Sequence, residues 1–183
     1  MIGIAAVLSV VLTLLLCASL VADEGEIRFP SIEGKALNGD EFAVLEKLSK
    51  PHNLLLVAFQ RKQQEDVDTW IPKLERVEDA NENFAFYEFP VLPKMNMMAR
   101  WFIYQGMRSG ITSDRARART VTFHLDKGEF KQNLGIDSED VIQVFLVDST
   151  GVVTWRSSGT WSEAKENQLM NIVSPPAEKN SDS

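Results

Sequence analysis

Thiols are scarce in this chain. Its single cysteine, Cys17, lies inside a run from Ile2 to Ala22 that carries no charged side chain. One thiol can form no intramolecular disulfide, no CxxC pair and no thiolate metal cluster. As a lipid-modified cysteine it would need a small residue just before it, and Leu14-Leu15-Leu16 supplies none. As a small apolar side chain in a membrane segment it needs no partner. His52 and His124 are the two histidines. A nucleophilic triad on either would require a serine and a carboxylate gathered in space; an ordinary surface or strand histidine requires nothing. Asp66 and Asp68, and Glu75 and Glu78, have the spacing of a solvated helix face. No glycine-rich phosphate loop occurs.

Two richer constellations adjoin each other. Met95, Met97 and Met98, with Met107 close behind, could offer soft thioethers to Cu(I), alone or with a histidine. At helical spacing, however, Met95, Met98 and Phe102 form a face suited to core packing, while Met97, Trp101 and Tyr104 repeat on another. A helix apolar on nearly all sides is either deeply buried or meets something besides its own core. The second constellation is charge: Lys94, Arg100, Arg108, Arg115, Arg117 and Arg119 face one acid, Asp114, within a chain of net charge −7. Either these cations meet an anionic lipid surface or an acidic protein partner, or they pair with the acidic remainder of the chain. The candidate contact residues are therefore Met97, Arg100, Trp101, Tyr104, Arg108, Arg115, Arg117 and Arg119. No cofactor or metal is implied, and the net charge of −7 argues against nucleic acid.

The elements that must position these residues follow from periodicity. Asp40 is placed to cap a short helix over 41–48. The apolar run from Asn53 to Phe59, after Pro51, predicts a strand covered on both faces. Val67, Trp70, Ile71, Leu74 and Val77 predict an amphipathic helix kinked at Pro72. A second strand spans 84–89, ended by Pro90 and Pro93, and the Met-aromatic helix covers 94–107. A third strand is predicted over 119–125 and a helix over 126–134, closed by Gly135. Residues 141–147 and 152–156 form a hairpin about Asp148-Ser149-Thr150-Gly151. A last helix over 162–173 turns Ala164, Leu169 and Ile172 inward. Phe59, Val67, Trp70, Leu74, Phe145 and Val147 are expected to share one core.

The 183 residues suit one domain and a targeting segment. Residues 1–22 read as a signal peptide or as a retained N-terminal anchor; as a helix the run from Ile2 would be roughly 31 Å long, the thickness of a bilayer core. Leu20 at −3 disfavours cleavage after Ala22. Residues 23–173 form the domain and 174–183 a disordered tail. Both readings of the N-terminus make the domain extracytoplasmic or membrane-anchored.

Strand, proline-containing helix, strand, helix, terminal hairpin and helix is an α/β order, a central mixed sheet flanked by helices. Phe145-Leu-Val-Asp148-Ser-Thr-Gly151-Val-Val-Thr-Trp155-Arg156 with Gly159 resembles the final hairpin of thioredoxin, TlpA-type and peroxiredoxin-like domains. Leu55 to Phe59 with Val67 to Leu74 resembles their first core strand and the kinked helix behind it. More narrowly, the stretch from Leu146 to Trp155 and Trp70-Ile71-Pro72 resemble the mitochondrial ATP synthase assembly factor number ten family and its bacterial relatives, over roughly Leu54 to Val173. The resemblance implies a thioredoxin-like fold without its chemistry. The family's thiolate belongs at the start of the kinked helix, where the dipole lowers its pKa; here that loop reads Phe59-Gln-Arg-Lys-Gln-Gln-Glu-Asp66. The family's cis-proline position falls near Gln143. The expected function is a non-catalytic binding or assembly factor at a membrane surface. An extracytoplasmic enzyme of other chemistry, or a weak Met/His copper binder, is the alternative.

Overall fold

The computed structural model describes residues 25–174. The proposed targeting segment, Cys17 within it, and all but the first residue of the proposed tail lie outside them. Seven strands form one mixed sheet: β1 (Glu33–Ala36), β2 (Glu41–Ala43), β3 (His52–Ala58), β4 (Phe84–Pro93), β5 (Val121–Leu125), β6 (Gln143–Val147) and β7 (Val153–Ser158), in the order β2-β1-β5-β4-β3-β6-β7. β3, β4 and β5 run parallel; β6 and β7 add an antiparallel hairpin beside β3. The helices are α1 (Val44–Lys47), α2 (Gln64–Ala80), α3 (Met97–Gly110), α4 (Asp114–Arg119), α5 (Lys127–Leu134) and α6 (Glu163–Val173).

Where the sequence reading and the structure part, turn chemistry and pairing explain it. Residues 41–43 are a strand and the predicted helix shrinks to α1. Gly39, at φ 110°, turns the chain, Asp40 N–H donates to Asn38 Oδ1, and Asp40 O accepts from Ala36 N–H. Asp40 therefore belongs to a hairpin turn, and β2 pairs with β1. β4 does not stop at Pro90. Ala58↔Pro90 is its last register with β3 and Leu125↔Pro93 its last with β5, so each missing proline donor falls where a ladder ends. Residues 114–119, expected in part as strand, form a helical turn capped by Ser113, and Arg119 closes it. α5 and α6 lie as predicted, with Asp126 and Ser162 as N-caps and Gly135 in the left-handed region at φ 59°. In α6, Leu169 and Val173 are buried and Ile172 is partly so, whereas Ala164 is exposed.

The core is double. Alternation along β3 and β6 sends Leu55, Val57, Phe145 and Val147 to one face, with Phe29, Phe89 and Phe130, and Leu54, Leu56, Val144 and Leu146 to the other. α2 and α6 cover the second face with Val67, Trp70, Leu74, Leu169 and Val173. Phe59, Phe145 and Val147 therefore do not share a core with Val67, Trp70 and Leu74: a sheet buried on both sides separates them. Trp70 is fully enclosed, its Nε1–H donating to Gly159 O at 2.9 Å and its ring meeting Trp161 edge-on at 4.8 Å.

Candidate functional site

The loop between β3 and α2 is occupied by amides. Gln63 is buried, and its Oε1 accepts from Phe59 N–H at 2.7 Å and Gln60 N–H at 3.1 Å. Its Nε2 and that of Gln60 both donate to Glu139 O, at 2.7 and 2.9 Å. Both ends of the Gln63 amide are thus committed to holding the chain. Neither group is a nucleophile. Burial works against the charge of Glu139, but Lys127 and Lys131 outweigh it and hold its carboxyl below the usual range. Gln143 opens β6 opposite Val57.

The histidines stay apart. His52 pairs with Phe84 at the start of β4 and His124 with Leu92 near its end, about 26 Å along a strand at 3.3 Å per residue. His124 Nδ1 is buried with no hydrogen-bond partner, and burial, aided by Arg100, lowers its pKa against the pull of the Pro93 backbone.

α3 is where the exposed apolar surface lies. Asn96 caps it, its Oδ1 accepting from Ala99 N–H at 2.9 Å. No residue of α3 is fully buried. Met97 is 85% exposed, Met98 72%, Phe102 63% and Trp101 56%, with the two aromatic rings edge-to-face at 5.1 Å. The expected core role of Met98 and Phe102 is overturned. The inner side is instead taken by Ile103, Tyr104 and Met107, all half-buried. Tyr104 Oη lies 3.1 Å from the carbonyl oxygens of Ala36 and Leu37, and Arg108 Nη1 donates to Leu37 O at 2.9 Å. These two side chains hang the helix from the chain just past β1, where their donors satisfy the Leu37 carbonyl. Tyr104 thus separates from Met97 and Trp101, with which it was grouped.

The arginine run is largely internal in its partners. Arg117 Nε donates to Ile111 O at 2.6 Å and Nη2 to Arg108 O at 3.3 Å, closing the C-terminal end of α3. Arg115 pairs with Glu78 at 2.5 Å and Asp79 at 2.8 Å on the last turns of α2. Arg119, 7% exposed at its side chain, pairs with Glu78 at 3.0 Å. Of the eight residues proposed as one surface, Met97, Arg100 and Trp101 are exposed together on α3. Tyr104, Arg108 and Arg117 hold α3 in place, and Arg115 and Arg119 bind α4 to α2.

An open groove of about 440 Å³ runs beside this ion-pair cluster, lined by Phe42, Lys47, Glu78, Tyr87, Arg115 and Arg119 among others. Arg115 and Arg119 there already face Glu78. Glu88, which the sequence reading passed over, is buried on β4 facing α2, with its Oε1 3.4 Å from Thr120 Oγ1. Burial, with Asp68 adding, pushes its carboxyl up to about 7 against the pull of Gln64, Thr120 and Arg119. The signal was available: strand alternation sets this acid on the same face as Phe84 and Phe86. Glu88 does not line the groove, so a shifted acid and an open cavity do not coincide here.

No family model matches the chain, and neither does any curated protein. Solved structures do. The thioredoxin domain of a thiol-disulfide oxidoreductase from Bacteroides vulgatus is similar over 81% of this chain and 98% of its own, with TM-score 0.52 and 17% identity. A thiol:disulfide interchange protein from Bacteroides sp. covers 85% and 93%, with TM-score 0.53 and 15% identity. The pneumococcal exposed lipoprotein thioredoxin of Streptococcus pneumoniae covers 78% and 99%, with TM-score 0.53 and 11% identity. At such identities the likeness shows the fold alone. The chain has the thioredoxin-like α/β fold, and its one cysteine, Cys17, lies outside the described residues.

Proposed function

We propose that the protein is a non-catalytic thioredoxin-like binding or assembly factor at an extracytoplasmic membrane surface, with the outer face of α3 as its contact. The observation that carries this is the exposure of Met97, Met98, Trp101 and Phe102 side by side on a helix whose inner face is already docked. Adaptable methionines and aromatics concentrate at contact surfaces, and a contiguous apolar patch on a folded domain marks one. The amide-filled loop at the head of α2 supports the non-catalytic part, because Gln63 is committed to backbone bonds and no thiol stands in residues 59–66. An extracytoplasmic setting draws support from the uncharged run of residues 2–22 and from a neighbour that is an exposed lipoprotein. No helix among the described residues is long and apolar enough to cross a membrane. The resemblance to the ATP synthase assembly factor family adds hydrophobic membrane subunits as a client class. That family works on the mitochondrial matrix side, and the export-type N-terminus of this chain departs from it.

Photo-crosslinking in cells tests the contact. A photoreactive residue at Met98 should give discrete adducts that the same residue at exposed Gln132 on α5 does not. Indistinguishable adduct patterns at the two positions would refute α3 as the contact face.

A further inference from the structure

We infer that the outer face of α3 seats on the surface of an anionic phospholipid bilayer, with Trp101 and Phe102 at the level of the headgroups. This rests on the reading of α3 as the contact face and names what the face meets. Three observations select a bilayer. First, residues 2–22 form a charge-free apolar run of bilayer length. Retained as an anchor, such a run holds the domain at a membrane. Second, the composition of the face suits an interface. Between Glu88 and Asp114 there is no acid, whereas Lys94, Arg100 and Arg108 all occur, in a chain of net charge −7. An anionic surface repels the rest of the domain and accepts this stretch, so the approach is oriented with α3 foremost. Third, the apolar side chains occupy one side of the helix. At 100° per residue Trp101, Gln105, Met98 and Phe102 span an arc of about 100° free of charge, while Tyr104 and Arg108, at the edge of that arc beside Met97, pin the helix just past β1. A helix fixed this way presents its apolar stripe without unfolding, as an interfacial helix does.

Four apolar side chains bind a bilayer weakly. A tether changes that, because linkage raises the effective concentration of the second contact to the millimolar range, on the order of the short-linker value. Tryptophan and phenylalanine on a helix that also carries cations match the residue types of helices that lie in a membrane interface.

The full chain, reconstituted in vesicles of three parts phosphatidylcholine to one part phosphatidylglycerol, tests this through lipids brominated near the headgroup, which quench tryptophan at short range. Trp70 is sealed in the core and Trp155 and Trp161 are half-buried, so the Trp101→Phe protein supplies the reference for their combined emission. The expected result is a bromolipid-dependent loss of emission that disappears in Trp101→Phe. The loss should also shrink in Met98→Glu, which places a carboxylate in the face while far-UV and near-UV circular dichroism stay unchanged. Equal quenching in the wild type and Trp101→Phe, with the chain shown by flotation to be on the vesicles, would overturn the bilayer as occupant. Position-specific adducts at Met98 to a protein, alongside unquenched Trp101, would discard the bilayer and leave the contact face standing. Neither quenching nor adducts would remove both.

Discussion

The guanidinium of Arg119 lies 4.0 Å from the ring centroid of Phe86 while its Nη2 donates to Glu78 at 3.0 Å. The last residue of α4 is thereby clamped between the sheet face and the end of α2. Arg115, four residues earlier, reaches the same Glu78 from a side chain 52% exposed. Identical residue types in one ion-pair cluster therefore carry different energies, because desolvation differs between them.

Arg119→Ser should cost roughly 1–3 kcal/mol, since it removes a buried guanidinium packed on Phe86, although Glu78 keeps Arg115 as a partner. Arg115→Ser should cost under ~1 kcal/mol, since water screens an exposed pair. Urea denaturation of the two variants checks the contrast; equal costs would show that Arg119 is not held as described.

Glu88 makes stability depend on pH. Its carboxyl titrates at about 7 in the fold, above the 4.5 of an unburied glutamate. Between those values the unfolded chain has released its proton and the folded chain keeps it, so stability falls as pH rises from about 4.5 to 7. The loss is roughly 3 kcal/mol at about 1.4 kcal/mol per pH unit. Glu88→Gln removes this slope, and above pH 7 it should be the more stable protein. Subtracting the variant's denaturation curves from the wild type's isolates Glu88. His124, whose pKa is lowered, has the opposite effect, its stability contribution rising with pH, and cancels in the difference. A flat difference curve would show Glu88 ionising freely.

β1 must lie close to β5 for α3 to hang from Leu37. A Cβ on Gly34 would meet Phe123 at 2.7 Å and Thr122 O at 2.8 Å. Gly34→Ala should therefore destabilise the domain by about 1–3 kcal/mol, as overpacking does. It should also speed hydrogen exchange at the amides of α3. Unchanged exchange there would mean that α3 does not depend on β1 for its position.

Long periodic elements were legible in the sequence and local pairings were not. α2, α5, α6 and the β6–β7 hairpin announce themselves through spacing, caps and a left-handed glycine, all short-range signals. Which side of α3 faces inward could not be read, because Met98 and Phe102 are as apolar as Ile103 and Met107. The choice is made by Tyr104 and Arg108 finding carbonyls near residue 37, more than sixty positions away. The pairing of the arginine run was hidden for the same reason. Its partners, Glu75, Glu78 and Asp79, come from another helix, and only the fold shows that their charges meet. The two-faced core also escaped, since burial is legible residue by residue but the side of the sheet follows from strand parity.

Two tryptophans give a test of this division. Trp70→Ala should cost roughly 3–5 kcal/mol, removing a fully enclosed ring and its bond to Gly159. Trp101→Ala, at an exposed position, should change stability by less than ~0.5 kcal/mol. Comparable losses in melting experiments would mean that α3 packs against the domain after all.

The cations near α3 differ in how far they are already paired. Arg115 and Arg119 are neutralised by Glu78 and Asp79, so they lend little field to an approaching surface. Arg100 and Lys94 are exposed and adjoin the apolar face. If α3 meets anionic lipid, Lys94→Ser with Arg100→Ser should weaken capture of phosphatidylglycerol-containing vesicles at low ionic strength. The effect should fade as salt rises, because exposed charges are screened beyond about 10 Å at 0.1 M. Arg115→Ser should leave capture unchanged at every salt concentration. Trp101→Ala should weaken it at all of them, since apolar seating is not screened. Flotation of the four proteins across a salt series decides between the two sets of cations. A low-salt loss in Arg115→Ser equal to that in the Lys94/Arg100 pair would restore the whole run as one electrostatic surface.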